Sequence, residues 1–307
     1  MEVEQHRGLR ILAAEVEEAL AGDWAGVARD ADLVRVRRPS PADWPRLRAA
    51  GFVPRPEGVA WVAPAPVDDR QFLARLSRKG REDVRRAVRL ASGSGLDIEV
   101  KDTFDEAFYD QFLVLYRWRI EAMRYGLPVA VRERDRVLGD PDRFFAVAAT
   151  YQGSLVGACI GERRPERNAG WIRFSAVDDI RRRQSLARVL YLRGSVLIGS
   201  EGFATAVLGA DPGLYGHVAE IGLLGFKTRL GFTPRPVHEV AGTDNCDVAD
   251  RILSLKQLAD PSVALTYQDS AEQSLTPAVF GTDPTRQADR ITLATDTPAV
   301  RSIVISQ

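Results

Sequence analysis

Residues that can exchange protons are concentrated in one short segment of the chain. Asp211, Tyr215 and His217 all lie in this segment, directly after an apolar run that predicts a buried strand over residues 204–209. A carboxylate or an imidazole can accept a proton and a phenol can donate one, provided that each lies within hydrogen-bond reach of the reacting group. Loops that a rigid sheet holds in place are common locations for such chemistry. We therefore predict catalytic roles for these three residues, with Glu220 as a further candidate base; ordinary hydrogen bonding within the loop is the alternative.

Lys227 is a second candidate because lysine is rare in this chain. Only four of the 42 basic residues are lysines, at positions 79, 101, 227 and 256. An ammonium group near a reacting centre can stabilise negative charge that develops in a transition state. The alternative is a structural one, since a cation in the last turn of a predicted helix is favourable to the helix dipole.

Composition limits the function classes that need to be considered. A length of 307 residues is comfortable for two packed cores, and 45% hydrophobic with 27% charged residues is typical of a globular protein. The formal net charge is zero, which provides no overall attraction to nucleic acid or to a membrane surface. Cys159, Cys246 and three histidines have neither a disulfide pattern nor metal-ligand spacing, so no metal site is predicted. No apolar run approaches 18 residues and no targeting segment is evident, which predicts a cytoplasmic protein.

One phrase occurs twice, 180 residues apart. Gly51-Phe52-Val53-Pro54-Arg55-Pro56 and Gly231-Phe232-Thr233-Pro234-Arg235-Pro236 match at five of six positions. Each follows a helix-like run and precedes a short apolar stretch. This pattern predicts a duplicated helix–Gly–strand unit. The alternative is a chance match, because Gly-Phe after a helix and proline after the start of a strand are each common.

Hydrophobic periodicity predicts the elements that must position these residues. Before residue 66 we predict a helix over 8–21, a strand over 32–37, a short helix over 40–51 and a strand around 59–62. The middle of the chain predicts helices over 69–91 and 103–125, the second with Phe104, Phe108, Phe112, Leu115 and Trp118 buried, and strands over 96–100, 144–151, 155–162 and 170–177. Towards the end we predict a helix over 186–200, the strand 204–209, a helix over 218–230, a strand over 232–240, a helix over 248–258, and strands over 291–294 and 302–305.

This order of elements resembles the GNAT acyltransferase fold, and the Fem-like branch in particular, in which two GNAT-like halves are fused. The resemblance covers roughly residues 8–240 and rests on the helix opening at 76–86, the hairpin around Gly153 and Gly157, and the segment 225–232. It implies an α/β (α+β) fold with mixed, mainly antiparallel sheets flanked by helices. The implied domains are a truncated first half over 1–66, a complete acyltransferase domain over 67–242 and a C-terminal extension over 243–307.

The resemblance also implies a site for the acyl donor. In this family a turn before a helix offers backbone N–H groups to the donor's pyrophosphate, which the helix N-terminus favours. The best match comprises Arg182, Arg183, Gln184, Ser185 and Ala187, with Ser185 where the family has glycine. A Cβ atom at this point crowds an approaching phosphate, so a solvated basic turn is the alternative.

Further residues of the family pattern fall on a helix pair and an aromatic–lysine dipeptide. Phe226 beside Lys227 resembles a dipeptide that Fem-like transferases place near the transfer site. Trp118 and Arg119 lie where such folds line the acceptor pocket, although a core tryptophan with a surface ion pair would look the same. Basic residues repeat along the helix over 69–91, and we predict acceptor contacts for Arg78 and Arg81. Glu82 and Asp83 interrupt that row, so a solvated helix face is the alternative to phosphate binding.

The function that the resemblance implies is N-acyl transfer to an amine of a small molecule or peptide. Acyl-coenzyme A would be a co-substrate, with no permanently bound cofactor. Two alternatives stay open: a transferase that uses aminoacyl-tRNA and grips the acceptor stem of the tRNA, and a non-catalytic binding module with the same fold. No membrane or DNA partner is predicted.

Overall fold

The computed structural model describes residues 1–26, 30–267, 274–284, 287–289, 291 and 301–305. The chain divides into two compact units. Unit 1 contains Met1–Ala60, Ala210–Thr228 and Pro234–Gln307, and unit 2 contains Trp61–Gly209 and Arg229–Thr233. The predicted domain boundaries at residues 66 and 242 come from the family resemblance, and they stay a prediction.

The helices and strands follow one another along the whole described chain. The first part contains β1 (Glu2–His6), β2 (Leu9–Ala14), α1 (Val16–Ala21), β3 (Leu33–Arg37), α2 (Trp44–Ala49), β4 (Val53–Pro56) and β5 (Gly58–Pro64). The middle part contains α3 (Asp69–Ala74), α4 (Arg78–Ser92), β6 (Leu96–Lys101), α5 (Glu106–Glu121), α6 (Val129–Arg132), α7 (Arg134–Gly139), β7 (Phe144–Tyr151), β8 (Ser154–Arg164) and β9 (Ala169–Val177). The last part contains α8 (Asp179–Arg183), α9 (Leu186–Ser200), β10 (Thr205–Pro212), β11 (Leu214–Tyr215), α10 (Ile221–Arg229), β12 (Thr233–Pro236), α11 (Val237–Ala241), β13 (Asp247–Ile252), β14 (Ser262–Tyr267), β15 (Leu275–Gly281) and β16 (Arg301–Val304).

A mainly antiparallel sheet forms the centre of unit 2. The sheet order is β12-β5-β10-β9-β8-β7-β6, and β6 to β9 form an antiparallel meander. Strand β10 joins β9 in parallel, with a register that runs from Thr205 opposite Ala169 to Leu208 opposite Ile172. Strand β9 continues to Val177, five residues beyond its last partner on β10. The two parallel strands therefore pair over only part of their length.

Helices cover both faces of this sheet. On one face, α5 packs Tyr109, Phe112 and Tyr116 against Phe144 and Phe174. On the other face α9 approaches closely, because the strand residue Gly157 leaves space for α9: a Cβ atom there would lie 3.0 Å from Cδ2 of Leu186. The helix residue Gly194 is similar, since its Cβ would lie 2.9 Å from Cδ1 of Ile172.

Unit 1 contains two further sheets. The first has the order β1-β2-β3-β13-β4, with β13 antiparallel to both β3 and β4. The second has the order β11-β14-β15-β16. Leu12, Val34, Leu47 and Phe52 belong to one apolar core of this unit, and Leu33, Leu214 and Phe280 belong to another.

The duplicated phrase adopts the same local structure in both places. Gly51 has φ +84° and Gly231 has φ +77°, the left-handed region in which glycine commonly ends a helix. The next residues, Phe52 and Phe232, are both buried, and a four-residue strand follows each, β4 and β12. The predicted repeat is therefore confirmed as a helix–Gly–strand unit.

Several predicted elements are wrong where tertiary pairing overrides local propensity. Residues 8–21 form β2 and α1, because Gly8 turns the chain back so that β2 pairs with β1. Residues 248–258, predicted as a helix, supply β13, which pairs on both sides with other strands. The predicted strand over 232–240 ends at Pro236 and gives way to α11.

The long helices also differ from the prediction. Residues 69–91 form two helices, because Ser77 begins α4 by accepting a hydrogen bond from the Gly80 amide at 3.2 Å. In α5 the buried side chains are Tyr109, Phe112, Leu113 and Tyr116, so of the five predicted only Phe112 is fully buried and Trp118 is 45% exposed.

The chain end is only partly described. The strand predicted over 302–305 corresponds to β16, whereas residues 292–294 of the other predicted strand lie outside the described residues. Within the ranges given above, no helix has the length and apolarity to cross a membrane.

Candidate functional site

Three of the four predicted catalytic residues form one hydrogen-bonded cluster in unit 1. The Lys227 ammonium lies 2.8 Å from each carboxylate oxygen of Asp211. The Tyr215 hydroxyl donates to Oδ2 of the same carboxylate at 3.0 Å. All three side chains are buried. We call Lys227, Asp211 and Tyr215 the lysine cluster.

Three different elements position the lysine cluster. Asp211 lies near the end of β10, Tyr215 lies on β11, and Lys227 lies in the last turns of α10. Strand β11 is held by β14, with Tyr215 opposite Val263. Gly216 follows with φ +101°, and a Cβ atom there would lie 2.5 Å from Oγ of Ser262. The backbone can pass this close only because the residue is glycine.

Burial dominates the electrostatics of the cluster. Removal from water lowers the pKa of Lys227, and the charge and hydrogen bonds of Asp211 act in the opposite direction. A buried ion pair is weak support for stability, because desolvation offsets the Coulombic gain. Perturbed titrating groups of this kind are concentrated at functional sites.

The fourth predicted catalytic residue, His217, has a different environment. Its Nε2 atom lies 3.0 Å from the backbone carbonyl oxygen of Arg7, to which the Nε2–H tautomer donates. This contact joins His217 to the N-terminal hairpin of unit 1. Glu220 is exposed and Phe226 is half-buried. Their predicted roles stay predictions.

The predicted donor turn lies in unit 2, where α8 ends and α9 begins. Ser185 has φ +64° and ψ +29°, the left-handed conformation that favours glycine. Ser185, at the position where the resemblance predicts glycine, therefore has the backbone conformation that a glycine would supply. Helix α9 is 15 residues long, and no side chain caps its N-terminus.

Side chains around the turn are partly engaged. Asp178 begins α8 by accepting from the Arg181 amide at 2.6 Å, and the Arg181 guanidinium donates to Oε1 of Gln184 at 3.0 Å. Arg182 is 60% exposed. Arg183 ends α8, and Ala187 is half-buried in the first turn of α9.

The predicted acceptor residues, also in unit 2, do not share one environment. Trp118 is exposed, and the Arg119 guanidinium lies 5.6 Å from its ring centre. Arg119 forms an ion pair of 3.2 Å with Asp179, which joins α5 to the first residue of α8. Arg78 is exposed and pairs with Glu82, whereas Arg81 donates to the Leu76 carbonyl oxygen at 3.0 Å.

Two charged clusters were not predicted from the sequence. In unit 1 the buried carboxylate of Asp250 lies between the guanidinium groups of Arg35 and Arg55. In unit 2 the fully buried Glu162 accepts hydrogen bonds from four arginines, which are Arg136, Arg143, Arg164 and Arg173. A charged residue within an apolar strand pattern was the signal, visible for Glu162 at the end of the run 155–162. Across the described ranges, no group of three or more His, Cys, Asp or Glu residues could hold a metal ion.

Comparisons with solved structures give matches at low identity, with TM-scores below 0.5. The chain is similar to the structure of FemX, with 12% identity over 80% of this chain and 81% of that chain and a TM-score of 0.46. It is also similar to the C-terminal DUF2156 domain of a putative lysylphosphatidylglycerol synthetase from Agrobacterium fabrum, with 14% identity, coverage of 81% and 79% and a TM-score of 0.44. A tandem GNAT protein from the clavulanic acid biosynthesis pathway shows 11% identity, coverage of 75% and 67% and a TM-score of 0.39. No family model matches the chain, and no curated protein matches it significantly.

The chain's own order of elements confirms the predicted class of fold. A helix pair, the antiparallel meander β6–β9, a basic turn into α9, the parallel strand β10 and the final helix–Gly–strand unit follow one another as predicted. The fold is a mixed α/β fold with mainly antiparallel sheets flanked by helices.

Proposed function

We propose that this protein is an N-acyltransferase that moves an acyl group from a coenzyme A thioester to an amine. The observation that carries the proposal is the lysine cluster: three residues chosen from the sequence for their chemistry meet within 3.0 Å in a buried position at the end of a strand. A buried ammonium–carboxylate pair contributes little net stability, which favours a chemical role for it.

The proposed reaction is a direct transfer. The amine nitrogen attacks the carbonyl carbon of the thioester, a C–N bond forms, and the C–S bond breaks with its electron pair on sulfur. The nitrogen loses one proton and the sulfur gains one, so the products are an amide and a free thiol. Acceleration requires a base for the first proton and positive charge near the carbonyl oxygen as it becomes negative.

The lysine cluster can supply both requirements. In our assignment Lys227 stabilises the developing oxyanion and Asp211 accepts the proton from nitrogen. Tyr215 is fully buried, so we assign it a positioning role through its hydrogen bond to Asp211. For unit 2 by itself, we assign binding of the donor's pyrophosphate to the turn at Ser185, because its left-handed backbone precedes a long helix without a side-chain cap and Arg182 is exposed beside it.

Variants of Lys227 test this proposal. We expect Lys227→Ala to lower turnover by about 100-fold, the usual cost of removing one group that stabilises transition-state charge. Release of free thiol from acetyl-coenzyme A in the presence of a panel of primary amines measures this. The loss in turnover should exceed the loss in stability, measured by urea unfolding. Lys256→Met, which changes an exposed lysine of the same unit, is the matched control.

A double variant separates chemistry from folding. Lys227→Met combined with Asp211→Asn leaves no buried charge in the cluster, so it should fold nearly as stably as the parent. We expect it to be inactive. Full activity in this variant would show that the lysine cluster is a structural ion pair and would end the catalytic assignment.

Aminoacyl-tRNA is a second candidate donor, favoured by the exposed face of α4. Lys79, Arg85, Arg86 and Arg89 are all exposed on this helix, and none of them has an ion-pair partner in the described part of the chain. A row of free cations is suited to a phosphate backbone. Thermal stabilisation by acetyl-coenzyme A and by aminoacyl-tRNA, measured in parallel, distinguishes the two donors. A shift with the first alone excludes the tRNA, and no shift with either favours a non-catalytic module.

A further inference from the structure

An exposed apolar surface lies next to the proposed donor turn in unit 2. Val114 and Trp118 on α5 are 67% and 45% exposed, and Ile180 on α8 is 68% exposed. Met123 and Leu127, directly after α5, are also exposed. We call these five residues the α5–α8 surface. Large apolar side chains grouped in this way are characteristic of an interaction site.

One ion pair shows that the two parts of this surface are neighbours. Arg119 contacts Asp179 at 3.2 Å, and these residues directly follow Trp118 and directly precede Ile180 in the chain. Helix α8 then leads within five residues to Ser185. A partner that covers Trp118 and Ile180 is therefore close to the position assigned to the donor's pyrophosphate.

The charged residues of the same segments indicate the sign of the partner's charge. Over residues 114–127 and 178–182, the basic residues are Arg117, Arg119, Arg124, Arg181 and Arg182, and the acidic residues are Glu121, Asp178 and Asp179. Two of the acids are already engaged, since Asp178 caps α8 and Asp179 pairs with Arg119. The surface thus has an excess of positive charge. Tryptophan, methionine and arginine are also the residues enriched where proteins bind proteins.

We propose that the α5–α8 surface docks an acidic carrier protein that presents the acyl group as a thioester on its own prosthetic arm. This inference rests on the proposed acyl transfer and names the form in which the donor arrives. The bonds and protons balance as in the transfer from coenzyme A: the amide forms, the C–S bond breaks, and the thiol of the arm takes the proton. Apolar contact with Trp118 and Ile180 provides affinity, and the arginines select an acidic partner.

Trp118 provides a specific optical probe of docking. The chain has five tryptophans, and the other four, Trp24, Trp44, Trp61 and Trp171, are each at most 8% exposed. A change in the polarity around the exposed indole therefore dominates any change in tryptophan emission. We expect a blue shift of the emission when an acidic acyl carrier protein in its apo form, without the prosthetic arm, is titrated into the full chain.

Matched variants locate the binding. Val114→Glu changes an exposed residue of the surface without removing the probe, and it should weaken carrier binding about tenfold through lost apolar contact and charge repulsion. Leu90→Glu is the control, because Leu90 is 41% exposed on α4 in the same unit and lies outside the surface. With acyl-carrier as donor, Val114→Glu should raise KM and leave kcat unchanged. With acetyl-coenzyme A, both constants should equal those of the parent.

The other occupants give different results. A blue shift with phosphatidylglycerol vesicles and none with the carrier would overturn the proposal in favour of a lipid surface. A shift that grows with protein concentration alone would overturn it in favour of self-association, and no shift with the carrier also overturns it. If the carrier binds but acetyl-coenzyme A neither binds nor reacts, the docking surface stands and the proposed function fails.

Discussion

Among the buried aspartates of unit 1, Asp250 and Asp211 have partners that differ in kind. Asp250 accepts from the Nε and Nη2 atoms of both Arg35 and Arg55, at distances from 2.5 to 3.0 Å. Asp211 accepts from one ammonium and one phenol, those of Lys227 and Tyr215. A guanidinium stays charged in a protein, whereas a buried lysine can lose its proton. The cations of the first cluster therefore stay charged, whereas the cation of the second can lose its proton.

The elements that carry the two aspartates show the same contrast. Asp250 lies on β13, and its two arginines lie on the neighbouring strands β3 and β4. The carboxylate fixes three adjacent strands of one sheet. Asp211 lies near the end of β10, and its partners come from an adjoining short strand and a helix. In the sheet interior, arginines that stay charged hold neighbouring strands together. At the strand end, a lysine that can lose its proton is suited to chemistry.

The duplicated unit sharpens this contrast. Counting back four residues from Gly51 reaches Leu47, and counting back four from Gly231 reaches Lys227. Leu47 packs in an apolar core, whereas Lys227 is buried against a carboxylate. The first copy shows that the fold accepts a leucine at this position. The lysine of the second copy is therefore not required by the helix–Gly–strand geometry.

The largest expected effect is the loss of stability in Asp250→Asn. This variant leaves two buried guanidinium groups without a counter-ion, which costs about 3–5 kcal/mol. In Asp211→Asn the remaining ammonium can release its proton, so we expect a smaller loss. Urea unfolding of both variants measures the difference. Equal losses would show that the two clusters are equivalent and would remove the structural ground for treating Asp211 as functional.

The next largest expected effect is the loss of folding stability at low pH, which depends on Asp250. Burial acts to raise the pKa of Asp250, but Arg35 and Arg55 outweigh it and hold the pKa at about 2. Because the pKa is lower in the folded state than in the unfolded one, the stabilisation is complete above pH 3.8 and is lost as pH falls towards 2. The loss amounts to about 2 kcal/mol.

Arg35→Met should move this acid transition. One guanidinium then faces Asp250, the pKa of the carboxyl rises, and stability begins to fall at a higher pH than in the parent. Urea unfolding between pH 6 and pH 2.5 follows the change. Arg37→Met, an exposed neighbour on β3, is the control and should leave the transition in place. An unmoved transition in Arg35→Met would mean that Asp250 does not control the acid response.

The sequence predicts those parts of the fold that depend on local chemistry. The α9 boundaries, Leu186 to Ser200, agree with the prediction because an apolar helical pattern runs unbroken between them. The strands of the meander β7–β9 are predicted from apolar runs and from the turn at Gly153. The strand β13 was missed, because the segment 248–258 takes its conformation from pairing with distant strands.

For the candidate site, too, the sequence indicates the residue types but not the contacts between distant residues. Residue type and rarity identified Asp211, Tyr215 and Lys227, and only the tertiary structure shows that they meet. His217 is a candidate on the grounds of residue type, and its bond to the Arg7 carbonyl cannot be anticipated, since it depends on a hairpin 210 residues away whose second strand lies in a segment predicted as a helix. Arg55 was visible in the repeated phrase, but its partner Asp250 lay in a segment predicted to be helical.

The smallest expected effect tests how Tyr215 acts. Tyr215→Phe keeps the buried ring and removes one hydrogen bond to Asp211, which should cost about 1 kcal/mol of stability. If Tyr215 only positions Asp211, turnover should fall by less than about tenfold, because 1.4 kcal/mol corresponds to a factor of ten. A loss of about 100-fold or more would instead make the phenol a proton donor in the reaction itself. Lys227 and Asp211 would then keep their ion pair and lose the exclusive chemical role that distinguishes this cluster from the one around Asp250.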